Sequence, residues 1–315
     1  MAQQGIPVVD LREFKDARNG RARFVDQIGA AMADTGFFVL EGHGIQDELI
    51  ERAYALAESL FLKTEAEKQR YERRDLHGQR GYTAFGREHA KDADAPDLKE
   101  FWHVGQELAQ GDPLAEVYPA NIWPTEVPEF KAVYSSLFRL LDACAGDLLQ
   151  ACALAIGEPT ERFSSLAKDG NSILRVIHYP PIGLDAHPKS IRAAAHEDIN
   201  LITLLPAATA GGLELLERNG RWRPVEATKG QIIVDAGDML QNITNGLFKS
   251  TTHRVINPGN SRDRRFSLPF FVHPRSEVDL TPLPSCVALT GGKVAFPPIT
   301  AGDYLQQRLR EIGLK

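Results

Sequence analysis

The chain has 315 residues, 43% apolar and 25% charged, the balance of a soluble globular protein with ample material for a core. A net charge of −6 offers no broad field for nucleic acid or an anionic membrane, so the expected partner is a small molecule, with no nucleic acid and no membrane. Three cysteines without metal spacing, an N-terminus unlike a secretion leader and no apolar run long enough to span a bilayer point to a reduced, cytoplasmic protein.

In chain order, Ile6 to Leu11 reads as a short strand. Residues 20–34 read as a helix, with Phe24, Ile28, Ala31 and Met32 among its apolar positions. Gly36 to Leu40 is a compact apolar strand that ends at the turn Gly42-His43-Gly44, and a helical stretch covers 46–70. Residues 73–128, rich in charge, Gly and Pro, predict loops with short elements. The clearest periodic signal is a long helix over 129–156, where Leu137, Leu140, Leu141, Cys144, Leu148, Leu149 and Cys152 recur at three- and four-residue intervals. After Pro159 the texture changes to short β-type runs at 173–179, 199–205, 212–216, 231–234 and 266–272, which suggest a sandwich or closed barrel. Residues 300–313 close the chain as a helix.

There is no Gly-x-Ser-x-Gly elbow, no phosphate loop and no Gly-x-Gly-x-x-Gly opening a helix. His196-Glu197-Asp198 is the first constellation with chemistry in it. On a strand, His196 and Asp198 share a face while Glu197 points away, and an imidazole with a carboxylate makes two legs of a facial metal triad. His-x-Asp alone is common on protein surfaces. A third leg, His253, follows downstream, and beyond it comes Arg265-Phe266-Ser267, whose guanidinium and hydroxyl on one strand face form a clamp for a carboxylate. The same parity turns Pro269, Phe271 and His273 inward to line the cavity beyond the clamp, with plain core as the other reading of Phe271. Tyr179, at the end of a strand and before Pro180, either packs or adds a hydrogen bond to a bound acid. His103 is a candidate substrate contact, whereas His43, His77, His89 and His187 read as capping or solvated residues.

In this ordered combination the chain resembles the isopenicillin N synthase-like family of non-haem iron oxygenases. The resemblance runs through Ile6-Pro7-Val8-Val9-Asp10-Leu11, Gly36-Phe37-Phe38-Val39, His43-Gly44-Ile45, Asp97-Leu98-Lys99-Glu100 and Tyr179-Pro180-Pro181, and on to Arg265-x-Ser267. It implies an α+β fold with a double-stranded β-helix (jelly-roll) core flanked by N-terminal helices. The implied layout is a mainly helical region over 1–165, the core over 166–280 and a C-terminal extension with a helix over 281–315. It implies iron(II) on His196, Asp198 and His253, and 2-oxoglutarate with its distal carboxylate on Arg265 and Ser267, assisted by Tyr179. O2 is the oxidant and ascorbate a helpful reductant. The implied reaction is hydroxylation, desaturation or ring closure of a small organic molecule. Ile177, where many plant members carry Asn, and Glu197, where Thr is usual, look more like isopenicillin N synthase itself, whose enzymes use no 2-oxoglutarate. The short stretch from Tyr179 to His196 looks like the 2-oxoglutarate users. An oxidase of the isopenicillin N synthase type and a non-catalytic metal- or ligand-binding barrel are the alternatives.

Overall fold

The structure is a computed structural model and describes residues 5–88, 96–183, 186, 190–260 and 262–311. The first half supplies strands β1 (Val8–Asp10), β2 (Phe37–Glu41), β3 (Gly81–Thr83) and β4 (Glu100–Gly105), with helices α1 (Leu11–Lys15), α2 (Arg21–Asp34), α3 (Asp47–Phe61), α4 (Glu65–Gln69) and α5 (Phe130–Ala155). The second half begins with α6 (Ser164–Ala167), followed by β5 (Ile173–Tyr179), β6 (Ala193–His196), β7 (Ile202–Pro206), β8 (Leu213–Leu216), β9 (Trp222–Pro224) and β10 (Ile232–Ala236). It ends with α7 (Asp238–Ile243), β11 (His253–Val255), β12 (Arg265–Ser267), β13 (Phe270–Val272), α8 (Pro284–Leu289) and α9 (Ala301–Glu311).

A larger sheet runs β1-β2-β10-β7-β13-β5-β4-β3, with β12 also paired to β5, and a smaller one runs β6-β11-β8-β9. Period-two alternation sorts each strand of the larger sheet between two environments. Phe37, Val39, Phe101, Ile177 and Ile233 join Ala193, Leu213, Leu215 and Val255 of the smaller sheet in one buried cluster, so the two sheets face each other. Phe38, Leu40, Trp102, Leu174 and Val176 face the other way, into the apolar stripes of α2, α3 and α5. This is a jelly-roll core with helices packed on one outer face, the α+β class the sequence predicts. Strands β1 to β4, drawn from residues 8–105, belong to the same sheet as the second half.

Several elements differ locally from the sequence expectation, each for a visible reason. The helix expected over 46–70 is interrupted, because Thr64 and Glu67 form a capping box that starts α4 afresh. Asp10 ends β1 by accepting from the Arg12 N–H at 2.9 Å, which opens the unexpected α1 at Leu11. On α5, Leu140 is 40% exposed, since Leu137, Leu141, Cys144 and Leu148 define a buried stripe that it flanks. The run 266–272 is two strands, broken at Leu268-Pro269, where proline has no N–H for the ladder and its carbonyl accepts from the Arg175 N–H at 2.9 Å.

Two close approaches bring the site together. Gly36 has φ +71°, and a Cβ there would lie 2.0 Å from the Lys249 carbonyl oxygen, so glycine lets β2 begin against the segment leading to His253. His253 in turn pairs directly opposite His196 across β11 and β6.

Candidate metal centre and adjoining pockets

The register of β6 and β11 sets the two imidazoles side by side, ring centroids 4.5 Å apart. His196 Nδ1 lies 2.7 Å from the Ala194 carbonyl and His253 Nδ1 lies 3.1 Å from that of Thr251. Each contact requires the proton on Nδ1, which leaves both Nε2 lone pairs free. Those Nε2 atoms lie 3.8 and 3.7 Å from one oxygen of Asp198, Oδ1. Burial and the neighbouring His196 hold the pKa of His253 below its ordinary value, which keeps that ring neutral. The three ligand atoms lie within 4.8 Å of one another. Two neutral nitrogens and one carboxylate, with their other polar atoms held from behind, are a donor set that fits a divalent transition metal and leaves positions open.

Asp198 does not sit on the strand assumed for it. β6 ends at His196, and Asp198 lies in the following loop, fixed by tertiary contacts. Thr203 donates its hydroxyl to Asp198 Oδ2, and Asn200 Nδ2 donates to Thr203 Oγ1 at 3.0 Å, which directs the single hydroxyl proton toward the carboxylate. Asp235 also faces Asp198. Burial, and then the Asp198 charge, push its carboxyl well above the usual range. Glu197 turns to Thr252, whose hydroxyl it accepts.

Arg265 and Ser267 both line the small cavity that also contains His196, Asp198 and His253. Arg265 pairs opposite Tyr179, and its guanidinium lies 5.0 Å from that ring. Its Nε donates to the Ala210 carbonyl at 2.9 Å, but its buried Nη1 has no partner. A fully buried guanidinium with a free donor, next to a metal-type triad, is arranged to receive an anion. Arg192, absent from the sequence reading, places a second buried guanidinium 5.8 Å from the Tyr179 ring.

A second cavity of about 270 Å³ borders two of the three residues, His196 and Asp198. Phe271, His273 and His103 line it, as the sequence suggests. His103, however, is held from both sides. Its Nδ1 lies 2.5 Å from the Gly78 carbonyl and its Nε2 accepts from Arg175 Nε at 2.5 Å, so it positions Arg175. Burial pushes His273 down to about 4, leaving it neutral, and its Nδ1 has no partner. The sequence reading missed Arg175, Glu88 and Lys99. The parity of β5 could have found the first, since Ile173, Arg175, Ile177 and Tyr179 share a face. His43 sits in its turn with Nε2 3.1 Å from the Gly230 carbonyl; His89 and His187 lie outside the described residues.

Comparison with known proteins decides the family. Residues 6–126 match the family described as non-haem dioxygenase in morphine synthesis, N-terminal, and residues 170–274 match the 2OG-Fe(II) oxygenase superfamily. A 2-oxoglutarate-Fe(II) type oxidoreductase of Aspergillus fumigatus is 30% identical over 98% of this chain and 93% of its own length. The chain belongs to the 2OG-Fe(II) oxygenase superfamily. A family protein from Caulobacter crescentus has the same fold with a TM-score of 0.86 and 38% identity, covering 98% of this chain and 99% of that one. A full-length Neurospora crassa protein, solved in complex with alpha-KG and thymine, follows at 0.85 and 27%, covering 98% of each. This oxygenase is therefore an iron(II)- and 2-oxoglutarate-dependent oxidoreductase of small organic substrates, which favours that reading over the isopenicillin N synthase-type oxidase and the non-catalytic barrel. No helix among its described residues is long and apolar enough to cross a membrane.

Proposed function

We propose that His196, Asp198 and His253 hold the iron, and that Arg265, with Ser267 and Tyr179, receives the distal carboxylate of 2-oxoglutarate in the adjoining cavity. The carrying observation is the unpartnered Nη1 of the buried Arg265 in the same cavity as the three ligand atoms. The chemistry supplied by the bound metal and co-substrate is O2-dependent oxidation of an organic molecule, coupled to conversion of 2-oxoglutarate to succinate and CO2. The protein's part is to hold the acid by its far end, keep both Nε2 atoms free of protons and present the substrate from the larger cavity. Ile177 lines the co-substrate cavity as an apolar wall, so the clamp relies on Arg265 and Ser267 for polar contacts. Ascorbate would serve to keep the iron reduced. A cytoplasmic location fits three buried cysteines that remain free thiols. The layout over 1–165, 166–280 and 281–315 is read as three regions of one oxygenase unit.

The neighbours' ligands vary: thymine is bound in the Neurospora crassa protein and JA in JOX2. The outcome, whether hydroxylation, desaturation or ring closure, depends on which substrate carbon faces the triad. Anaerobic addition of iron(II) and 2-oxoglutarate tests the co-substrate assignment. A visible charge-transfer band and succinate release on admission of air are expected. Absence of both in the wild type would overturn it.

A further inference from the structure

Within the larger cavity, Arg175 is a cation held on several sides. Its guanidinium lies between two rings, 4.2 Å from the Phe101 centroid and 5.1 Å from that of Phe271. Its Nε donates to His103 Nε2 at 2.5 Å and its Nη1 to Glu88 Oε1 at 3.1 Å. The guanidinium is thereby packed against two rings with two nitrogens engaged, and among the described residues Nη2 makes no hydrogen bond. The carboxylate of a substrate is best held by two parallel N–H bonds from adjacent guanidinium nitrogens. With Nε and Nη1 engaged, Arg175 suits a single acceptor oxygen.

Charge balance points the same way. Lys99 lies 2.6 Å from Glu88 and 2.8 Å from Asp97, with all three buried. Arg308, also in the lining, is paired with Asp238 at 2.5 Å and Glu311 at 2.9 Å. Arg175 and Lys99 therefore face Glu88 and Asp97 as two cations against two anions, a cluster already neutral. His103 and His273 are held neutral, chiefly by burial. Ile173, Ile199, Leu305 and Leu309 give the wall an apolar part, and His77, Gln79 and Glu197 a polar one, where Glu197 accepts from the Thr252 hydroxyl. An anionic substrate would have to compete with Glu88 for Arg175, and a cationic one would meet Arg175 itself. An anion would also give up its hydration without a free cation to meet, because Arg175, Lys99 and Arg308 are each already paired with a carboxylate.

We propose that Arg175 is the specificity-determining residue of this oxygenase and that it takes a carbonyl oxygen of an uncharged primary substrate lying beside Phe271. The inference rests on the reading of the triad and clamp given under Proposed function. The cavity of about 270 Å³ suits a single small ring with few substituents, near the lower end of small-molecule sites.

The test uses the iron(II)-loaded full chain with 2-oxoglutarate and probes paired by charge. Uracil is set against orotate, nicotinamide against nicotinate, and homoarginine serves as the cation. The readout is succinate release above the rate without probe. At least one uncharged probe is expected to stimulate release at least tenfold more than its carboxylate partner. Arg175→Met is expected to raise KM for that probe at least tenfold. Arg175→Lys, which keeps a cation beside Glu88 but lacks the Nη2 edge, should show the same rise, so a folding defect in one variant does not decide the result. Greater stimulation by a carboxylate or by homoarginine, stimulation by no uncharged probe, or an unchanged KM in both variants would overturn the proposal. Loss of the anaerobic band in the wild type would instead remove the underlying reading, so the two failures are separable.

Discussion

The main-chain N–H of Asp238 donates to the main-chain carbonyl of Asp198 at 2.7 Å. The side chain of the same Asp238 accepts from Tyr304 at 2.8 Å and from Arg308 at 2.5 Å, both on α9. One residue thus ties the loop carrying the central carboxylate to the C-terminal helix, whose Leu305, Arg308 and Leu309 wall the larger cavity. Arg308→Ala leaves the buried Asp238 with one partner fewer, at a cost of about 1–3 kcal/mol. Hydrogen exchange within 301–311 should accelerate in that variant while that of β5 stays slow. Equal protection of α9 in both proteins would show that the latch contributes nothing.

The triad makes the metal prediction direct. His253→Ala or Asp198→Ala should abolish stoichiometric iron binding while far-ultraviolet circular dichroism remains native. Thr203→Val removes only the hydroxyl that steadies Asp198 Oδ2, and should weaken iron binding by roughly 10–100-fold, the usual effect of losing a ligand's supporting hydrogen bond. Glu197→Ala should be milder, because its carboxylate turns to Thr252 rather than to a ligand. Metal titration in anaerobic buffer measures all four.

Arg265 provides the co-substrate prediction. A charge-assisted hydrogen bond contributes about 1.5–3 kcal/mol, and about 1.4 kcal/mol is one decade of affinity. Arg265→Ala should therefore raise the 2-oxoglutarate concentration for half-saturation more than about tenfold. Arg265→Lys should restore little, since an ammonium cannot reproduce the guanidinium held over Tyr179 and bonded to Ala210. Titration of the anaerobic charge-transfer band gives the value in each variant.

Protonation of His273 should limit stability in acid. Its folded pKa of about 4 lies below the ordinary 6.5, so above pH 6.5 both states are neutral and the full stability is present. As pH falls from 6.5 toward 4 the unfolded chain takes up the proton first, and of the order of 3 kcal/mol is lost. His103, also held low by burial and then by Arg175, acts in the same direction. Urea midpoints should fall over this window, with a shallower slope in His273→Gln. A parallel slope would show that the ring is not the responsible group.

Much of the site is legible from local chemistry. His196, Asp198 and His253 stand out because few residue types ligate metals, and Arg265-x-Ser267 because side-chain parity survives even the break at Pro269: Phe271 and His273 still line the larger cavity. The long α5 is legible because a stripe of apolar residues at helical spacing has one face to bury. Boundaries are less so, since the cap at Thr64 and the ladder gap at Pro269 depend on contacts a few residues away.

By itself, the sequence determined the residue types, their order and the face each takes within a strand or helix: the candidate donor set, the candidate clamp and the amphipathic layers. The tertiary structure alone decided that Asp198 leaves its strand and is held by Thr203 and Asp238. It also decided that Arg175 packs against Phe101 and Phe271 with two nitrogens engaged, and that Glu88 and Lys99 cancel charge beside it. The reason is physical: periodicity is set by backbone geometry within one element. Hydrogen-bond occupancy and charge balance are sums over side chains from several elements, and only packing brings them within reach of one another.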